Sequence, residues 1–394
     1  MLLFQTLDDK KECVGIFCED LVFGGELPTN LTHTWSYSGF LRDLEIEYAS
    51  LYCEGRTLEE VCPDHLAERY SEIGNKMKAF IKSFVTAGVS LNENCFFDLV
   101  PRKFLVEFCT IKNQICEHIF ATEERPKNYD YLVSLSKEIE EMKYRPLKLN
   151  IKNLSMFRAD HRKFARNLNK TERSCRFNIY GTKTGRLTTT PKSFPILTLK
   201  KELRRAIEPH NDYFVELDFN AAELRTLIAL QGKPQPRGDL HEWNVKNVYR
   251  GLITREEAKK RIFAWLYNPD SKDYLSSRVY DRDSVVQKYF TQGQVRTFWD
   301  KVIPSEERTA LNYIIQSTCA ENVLRQMIKV SNYLKGGESY VAFPIHDSIV
   351  LDLSEKEKER LPEIIEIFSN TALGKFKVNI NVGRNFGQLE KIGG

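Results

Sequence analysis

No apolar run in this chain reaches the roughly 18 residues that a membrane-spanning helix needs. Met1 to Lys11 has no basic stretch leading into an apolar one, so no secretory leader is expected. The nine cysteines are scattered, odd in number and contain no C-x-x-C pair. That pattern argues against a zinc site or a disulfide framework and suits a reducing compartment. The chain also lacks any internal repeat or low-complexity tract. The expectation is a globular protein of the cytoplasm with no membrane partner.

What is present is ordinary in bulk and uneven in charge. With 394 residues, 42% hydrophobic and 28% charged, the chain can build roughly two to four subdomains around a sizeable core. Its net charge of +4 hides an asymmetry. Residues 1–70 hold 14 acidic and 5 basic side chains, and the remainder holds 53 basic against 40 acidic. A basic body behind an acidic N-terminal portion fits a polyanionic partner engaged beyond residue 70.

Short strands are expected at Cys13 to Cys18 and Leu21 to Phe23, with turns at Gly24-Gly25 and Pro28-Thr29-Asn30, then a helix over Ser38 to Tyr52. Leu66 to Asn153 reads as mostly helical, for example over Tyr131 to Met142. A basic stretch follows, with Arg158, His161, Arg162, Lys163, Arg166, Lys170, Arg173 and Arg176. Leu240 to Trp265 is helical with a break near Gly251. Ser305 to Lys335 reads as a long helix with Ser305 as N-cap and Gly336-Gly337 as its stop. Tyr340 to Ile345 and Ile349 to Leu353 form a hairpin with Asp347 at its tip.

Two carboxylates stand at or just past strand-like runs. Asp218 follows Tyr213-Phe214-Val215-Glu216-Leu217, and Asp347 follows Phe343-Pro344-Ile345-His346. Such positions suit a shared hard cation, although Asp218 could equally cap a helix and Asp347 could be a plain turn residue. Arg255, Lys259, Phe263 and Tyr267 step by four and share one helical face. Cations at its start suit phosphates, and aromatics further on suit a sugar and base; a solvated, salt-bridged helix is the competing reading. Arg308, Asn312 and Gln316 also step by four on an otherwise apolar helix. That stripe suits sugars and minor-groove acceptors, or the exposed edge of an amphipathic helix. Thr182 to Thr190 is a hydroxyl-rich turn with Thr184 and Arg186, fit to grip a phosphate or to be an ordinary turn.

Together these motifs resemble the polymerase region of family A DNA polymerases, the bacterial DNA polymerase I and phage replicative class. That family runs T-x-T-G-R-L, D-Y-S-x-x-E-L-R, D-x-H, R-x-x-x-K-x-x-x-F-x-x-x-Y-G, R-x-x-x-N-x-x-x-Q and H-D-E. The counterparts here are Thr182 to Leu187, Asp218 to Arg225, Asp239 to His241, Arg255 to Tyr267, Arg308 to Gln316 and His346-Asp347. The resemblance covers about residues 170–394. Two departures stand out: Asn268 replaces the glycine after the motif tyrosine, and Ser348 replaces the final glutamate. The stretch between Tyr267 and Arg308 looks short, which implies trimmed fingers.

The resemblance implies an α+β right hand with an antiparallel palm sheet, helical fingers and a helical thumb, plus a small N-terminal α/β module. The expected divisions are 1–70 for that module, 71–176 for the thumb, 177–230 and 305–394 for the palm, and 231–304 for the fingers. The implied activity is template-directed addition of dNTPs to a primer 3′-OH, in replication of phage DNA in an infected bacterium. Asp218, Asp347 and the Phe219 carbonyl would hold two Mg²⁺, with Mn²⁺ able to substitute. Arg255, Lys259 and His241 would meet the triphosphate, with Lys259 as the acid for the leaving pyrophosphate. Phe263, Tyr267 and Glu223 would bound the sugar and base. Thr184, Arg186, Arg308, Asn312, Gln316 and His346 would contact primer and template. A single-subunit RNA polymerase relative and a non-catalytic nucleic-acid-binding relative are the alternatives.

Residues 1–70 set no D-x-E exonuclease signature on a first strand: Leu7-Asp8-Asp9 and Cys18-Glu19-Asp20 do not match, and Asp43-Leu44-Glu45 lies on a helix-like segment. This portion is expected to be an exonuclease remnant or a docking module for a separate exonuclease subunit or other replication proteins.

Overall fold

A computed structural model of the chain describes residues 4–7, 14–18, 20–23, 31–91, 94–155, 158–168 and 173–393. The expected turns at Gly24-Gly25 and Pro28-Thr29-Asn30 lie outside the described residues, as do Cys13, Asp8, Asp9, Glu19 and Lys170. The chain divides into two compact units, Met1–Glu140 and Glu141–Gly394.

The first unit holds an antiparallel meander of β1 (Phe4–Leu7), β2 (Val14–Cys18) and β3 (Asp20–Phe23). Two long helices, α1 (Asp64–Thr86) and α2 (Arg102–Thr122), pack on each other, and α2 also covers the meander. A third helix, α3 (Tyr129–Lys143), ends just beyond the unit. The apolar stripe of α2 explains its central place: Phe104, Leu105, Phe108, Ile111, Ile115 and Ile119 recur at helical spacing and are all buried.

The helix expected over Ser38 to Tyr52 shrinks to a short 3₁₀ turn at Gly39–Leu41 and a single α-turn at Ala49–Tyr52. Tertiary partners claim the backbone in between. Glu47-Tyr48 pairs with His33-Thr34, and the Tyr48 amide donates to the Tyr129 hydroxyl at 2.8 Å. Asp43-Leu44-Glu45 therefore sits in a turn, not on a helix. Cys95 is disulfide-bonded, which the scattered cysteine pattern did not suggest, while Cys53, Cys62, Cys109, Cys116, Cys175 and Cys319 are free. Among the described residues no helix is long and apolar enough to cross a membrane.

The second unit contains α4 (Ala159–Asn167), which carries much of the basic stretch, and is built on a five-stranded sheet. Its central strand β4 (Tyr213–Phe219) alternates aromatic and aliphatic residues with acids, so one face is buried and the other carries Glu216 and Asp218. Three helices follow: α5 (Ala222–Leu230), α6 (Leu240–Asn247) and α7 (Arg255–Tyr267). Thr254 and Glu257 form a reciprocal capping box at the start of α7, which fixes where its motif face begins.

Two short helices, α8 (Tyr274–Val279) and α9 (Arg282–Tyr289), lead into a small antiparallel sheet that the sequence pattern did not suggest. Its strands are β5 (Phe290–Thr291), β6 (Gln294–Arg296) and β7 (Val302–Pro304). The long helix α10 (Glu307–Leu334) is buried along most of its length. It starts slightly later than expected. Glu306 stands at the N-cap without a side-chain bond, and Ser305 donates instead to the Glu306 carbonyl.

Strands β8 (Tyr340–Ile345) and β9 (Ser348–Leu353) form the expected hairpin, followed by α11 (Leu361–Ser369), β10 (Val378–Gly383) and β11 (Glu390–Gly393). The sheet order is β8-β9-β4-β10-β11, antiparallel throughout. Phe219 stacks on Phe368 of α11 at 4.3 Å between ring centres, which pins the buried face of β4.

Candidate active site

The site lies where β4 ends beside the β8–β9 turn. In the antiparallel register Asp218 stands opposite Ser348 on one side and Asn379 on the other. The Phe219 amide donates to the Asp347 carbonyl at 3.3 Å, so two aspartates far apart in sequence come to neighbouring places at one end of the sheet. Asp218 is therefore not a helix cap: the N-cap of α5 is Ala221.

Both carboxylates sit in a tight, strained frame. Ala221 (φ 51°) and His346 (φ 49°) occupy the left-handed region without being glycine. One follows Asp218 shortly after β4 ends, and the other immediately precedes Asp347. These conformations let β4 turn into α5 and let the hairpin reverse in a short loop without moving either acid off the sheet end.

Burial pushes the Asp218 carboxyl up to about 6; the Asn379 amide opposes this, and the charges of Glu216 and Asp347 add to it. Asp347 is raised as well, first by burial and then by Glu223, against Arg186 and His346. The Asn379 amide holds one Asp218 oxygen at 3.0 Å. No arginine or lysine pairs with either aspartate within salt-bridge distance among the described residues. Partly buried carboxylates kept close and unneutralised suit a hard divalent cation, and an all-oxygen donor set suits Mg²⁺ or Mn²⁺. Among the described residues no three acidic, histidine or cysteine side chains form a ready-made cage.

The α7 face assembles as its spacing implies, but its members differ in state. Arg255 is engaged, with Asp239 at 2.8 Å and Glu256 at 2.9 Å. Lys259 is exposed and makes no ion pair among the described residues, and its charge is felt at both Asp218 and His241. His241 is buried against this helix, its ring centre 5.9 Å from that of Phe263. Burial pulls its pKa down to about 4, so it is neutral near pH 7. Phe263 and Tyr267 stack with ring centres 6.2 Å apart.

The Tyr267 hydroxyl is buried and has no hydrogen bond of good geometry; Glu223 and Gln316 lie beside it. Burial first, and then the Glu223 carboxylate, push its pKa up. Glu223 itself is held by Arg186 at 2.6 Å. Arg186 comes from the hydroxyl-rich turn, which Gly185 closes with φ 76°. The Thr182 hydroxyl donates to the Arg186 carbonyl at 2.9 Å, and the buried Thr184 hydroxyl lies 3.3 Å from that of Thr182. Asn312 and Gln316 are half-buried on α10, whereas Arg308 is exposed and paired with exposed Asp270. His346 is exposed at the hairpin tip.

Three residues that sequence reasoning did not assign prove central to the scaffold. Arg225 is fully buried and donates to the carbonyls of Asn220, Pro236 and Gly238, so it ties α5 to the loop before α6. Asn220 accepts from the Leu240 amide and donates to Asp239. Asp239 caps α6 through the His241 and Glu242 amides. The signal for Asp239 was legible, because an acid directly before Leu240-His241-Glu242 reads as an N-cap. Nothing local signalled the roles of Asn220 and Arg225, whose partners lie in a separate loop.

Residues 292–389 match the family model described as DNA polymerase family A. The match contains α10, the β8–β9 hairpin with Asp347, and β10, but not β4 with Asp218, which the sheet adds to them. DNA polymerase I of Borreliella burgdorferi is 21% identical over 266 aligned positions, which cover 53% of this chain and 29% of that protein. The chain thus spans less than a third of the length of that relative. The polymerase domain of Pol1 from M. smegmatis, solved with DNA primer-template and dNTP, superposes with a TM-score of 0.59 at 15% identity, covering 86% of this chain and 82% of that one. That likeness establishes the fold alone, an α+β fold with a five-stranded antiparallel sheet. In its C-terminal part the chain is thus similar to DNA polymerase family A, and over about half of its length to a bacterial DNA polymerase I.

Proposed function

We propose that the chain is a DNA-directed DNA polymerase that adds dNTPs to a primer 3′-OH using two divalent cations. The observation that carries this reading is the pair Asp218 and Asp347. They are brought together by strand register and partly buried, neither has an arginine or lysine within salt-bridge distance among the described residues, and the charge of Lys259 on α7 reaches Asp218.

Asp218, Asp347 and the Phe219 carbonyl would hold the cations, Mg²⁺ with Mn²⁺ able to substitute. Such cations would supply Lewis acidity, lowering the pKa of a primer hydroxyl and neutralising triphosphate charge. The protein's own groups do the rest. Asn379 orients Asp218 by its hydrogen bond. Lys259, Arg255 and neutral His241 receive the phosphates, and Arg255 exchanges Asp239 for substrate oxygens as it does so. Lys259, exposed and without an ion pair among the described residues, would protonate the leaving pyrophosphate. The stacked pair Phe263 and Tyr267 forms an apolar wall for sugar and base, and Glu223 meets a 2′-hydroxyl if one is present. Thr184, Arg186, Arg308, Asn312, Gln316 and His346 are the primer and template contacts in this reading.

The division into N-terminal module, thumb, palm and fingers belongs to the same proposal. So does the replicative setting, phage DNA in the cytoplasm of a bacterial host, which rests on the resemblance alone. Residues 1–70 are proposed to dock a separate exonuclease or another replication protein. The test of the activity is extension of a labelled primer–template by the purified chain, with and without Mg²⁺, with dNTPs and with rNTPs. Template-directed dNTP incorporation that Asp218→Ala and Asp347→Ala abolish is the expected result. Incorporation of rNTPs alone would make the chain an RNA polymerase relative, and no incorporation at all would make it a binding protein.

A further inference from the structure

Beside Asp218 on the same face of β4 stands a second half-buried carboxylate, Glu216, two residues earlier and on the same side by strand alternation. Its two oxygens meet polar groups of two different strands. The Ser348 hydroxyl of β9 lies 3.3 Å from Glu216 Oε1 and 2.9 Å from the Ile345 carbonyl. Asn381 of β10 donates to Glu216 Oε2 at 2.8 Å, one alternation along from Asn379, which donates to Asp218. Two asparagine amides on one strand thus hold two carboxylates side by side on the next. Ser348 is also the residue directly opposite Asp218 in the sheet, and it stands where the H-D-E motif carries a glutamate. The negative charge missing from position 348 is therefore present a few ångströms away, on the neighbouring strand. Glu216 has no cationic partner within salt-bridge distance among the described residues, and its charge is felt at Asp218.

We infer that Glu216 supplies, from β4, the carboxylate that the motif places at position 348, and that it acts as a positioning residue for the divalent cation at Asp218 and Asp347. Serine at 348 makes room for it, and the serine hydroxyl aims Glu216 Oε1. This inference rests on the polymerase reading above. Outer carboxylates that orient metal ligands typically change metal affinity about 10- to 100-fold when removed.

The test is Mn²⁺ binding by the full chain, followed by electron paramagnetic resonance, on a primer–template with a dideoxy end and a matched dNTP, so that no turnover occurs. Glu216→Gln keeps the size and removes the charge. It is expected to bind Mn²⁺ about tenfold more weakly, with little change in melting temperature. Adding Ser348→Glu to Glu216→Gln should restore binding to within about threefold of the parent. A purely structural role for Glu216 would not be rescued by a charge on the other strand. Parental affinity in Glu216→Gln, or no gain in the double variant, overturns the inference. If Glu216→Gln fails to fold, Ser348→Ala carries the test: weaker Mn²⁺ binding supports the inference and unchanged binding overturns it. Asp218→Ala separates the two readings. If it loses Mn²⁺ while Glu216→Gln does not, only the Glu216 assignment falls. If it binds Mn²⁺ as the parent does, the cation reading falls and takes the Glu216 assignment with it.

Discussion

Asp239 and Asp218 are both partly buried aspartates at the ends of regular elements, and they are treated in opposite ways. Burial alone would raise Asp239, but hydrogen bonds from Arg255, the Glu242 amide and Asn220 overcome it and hold its carboxyl far below the usual range. Asp218 has one amide partner and two acidic neighbours, and its carboxyl is pushed up to about 6. Under the proposed function, the difference separates architecture from function. A charge that holds the fold is surrounded by donors, whereas a charge kept for a ligand is left under-satisfied.

The strongest way to break this comparison is to remove each acid in turn. Asp218→Ala should lower primer extension by at least about 10³-fold while leaving DNA affinity nearly intact, because phosphate contacts from the basic body supply that affinity. Asp239→Ala should instead lower stability, by about 2–4 kcal/mol in denaturant unfolding, since Arg255, Asn220 and the α6 amides lose their shared acceptor. If Asp239→Ala unfolds like the parent, or Asp218→Ala retains near-parental turnover, the division is wrong.

Sugar selection sharpens the same contrast at Glu223, which is a tethered acid at the site. Glu223→Ala should raise the rNTP:dNTP incorporation ratio by roughly 10- to 100-fold, because the carboxylate that would clash with a 2′-hydroxyl is gone. Arg186→Ala, which frees Glu223 from its 2.6 Å ion pair, should move the ratio in the same direction by less. An unchanged ratio in Glu223→Ala removes that role.

The pH dependence follows from the sign of the Asp218 shift. Its carboxyl titrates at about 6 in the folded chain against 3.8 for the ordinary value. Between those values the folded state holds a proton that the unfolded chain has lost. Stability therefore falls as pH rises through this window and stays lower above it. In the metal-free chain Asp218→Asn should be more stable than the parent above pH 6 by about 1–3 kcal/mol. The advantage should vanish below the ordinary value of 3.8. Melting curves across pH with chelator present measure it, and an equal Asp218→Asn gain at all pH would show that ionisation is not the cause.

The smallest expected effect tests the backbone strain beside the site. Ala221→Gly should stabilise the chain by about 0.5–1 kcal/mol, because glycine adopts the left-handed conformation at no steric cost and is acceptable at an N-cap. A loss of stability would mean that packing by the Ala221 methyl outweighs the strain.

Much of the fold is legible in the sequence alone. The alternation of β4, the spacing on α7 and α10, and the hairpin around Asp347 all rest on short-range periodicity, and the elements appear where it puts them. The failures lie where backbone partners are remote. Ser38 to Tyr52 lost its helix to pairing with His33-Thr34 and to the Tyr129 hydroxyl. The small sheet of β5, β6 and β7 arises from strands too short to show a period.

By itself, the sequence determined the order of the motifs and the residue types on each motif face, because those depend on spacing within one element, and the α+β class followed from the family resemblance that those motifs carry. Only the tertiary structure decided which charges are already taken. Arg255 is paired with Asp239, Arg186 holds Glu223, and Glu216 meets Ser348 of the next strand. Those pairings depend on strand register and on loops that return from distant positions, and no local pattern encodes the free energy that brings such partners together.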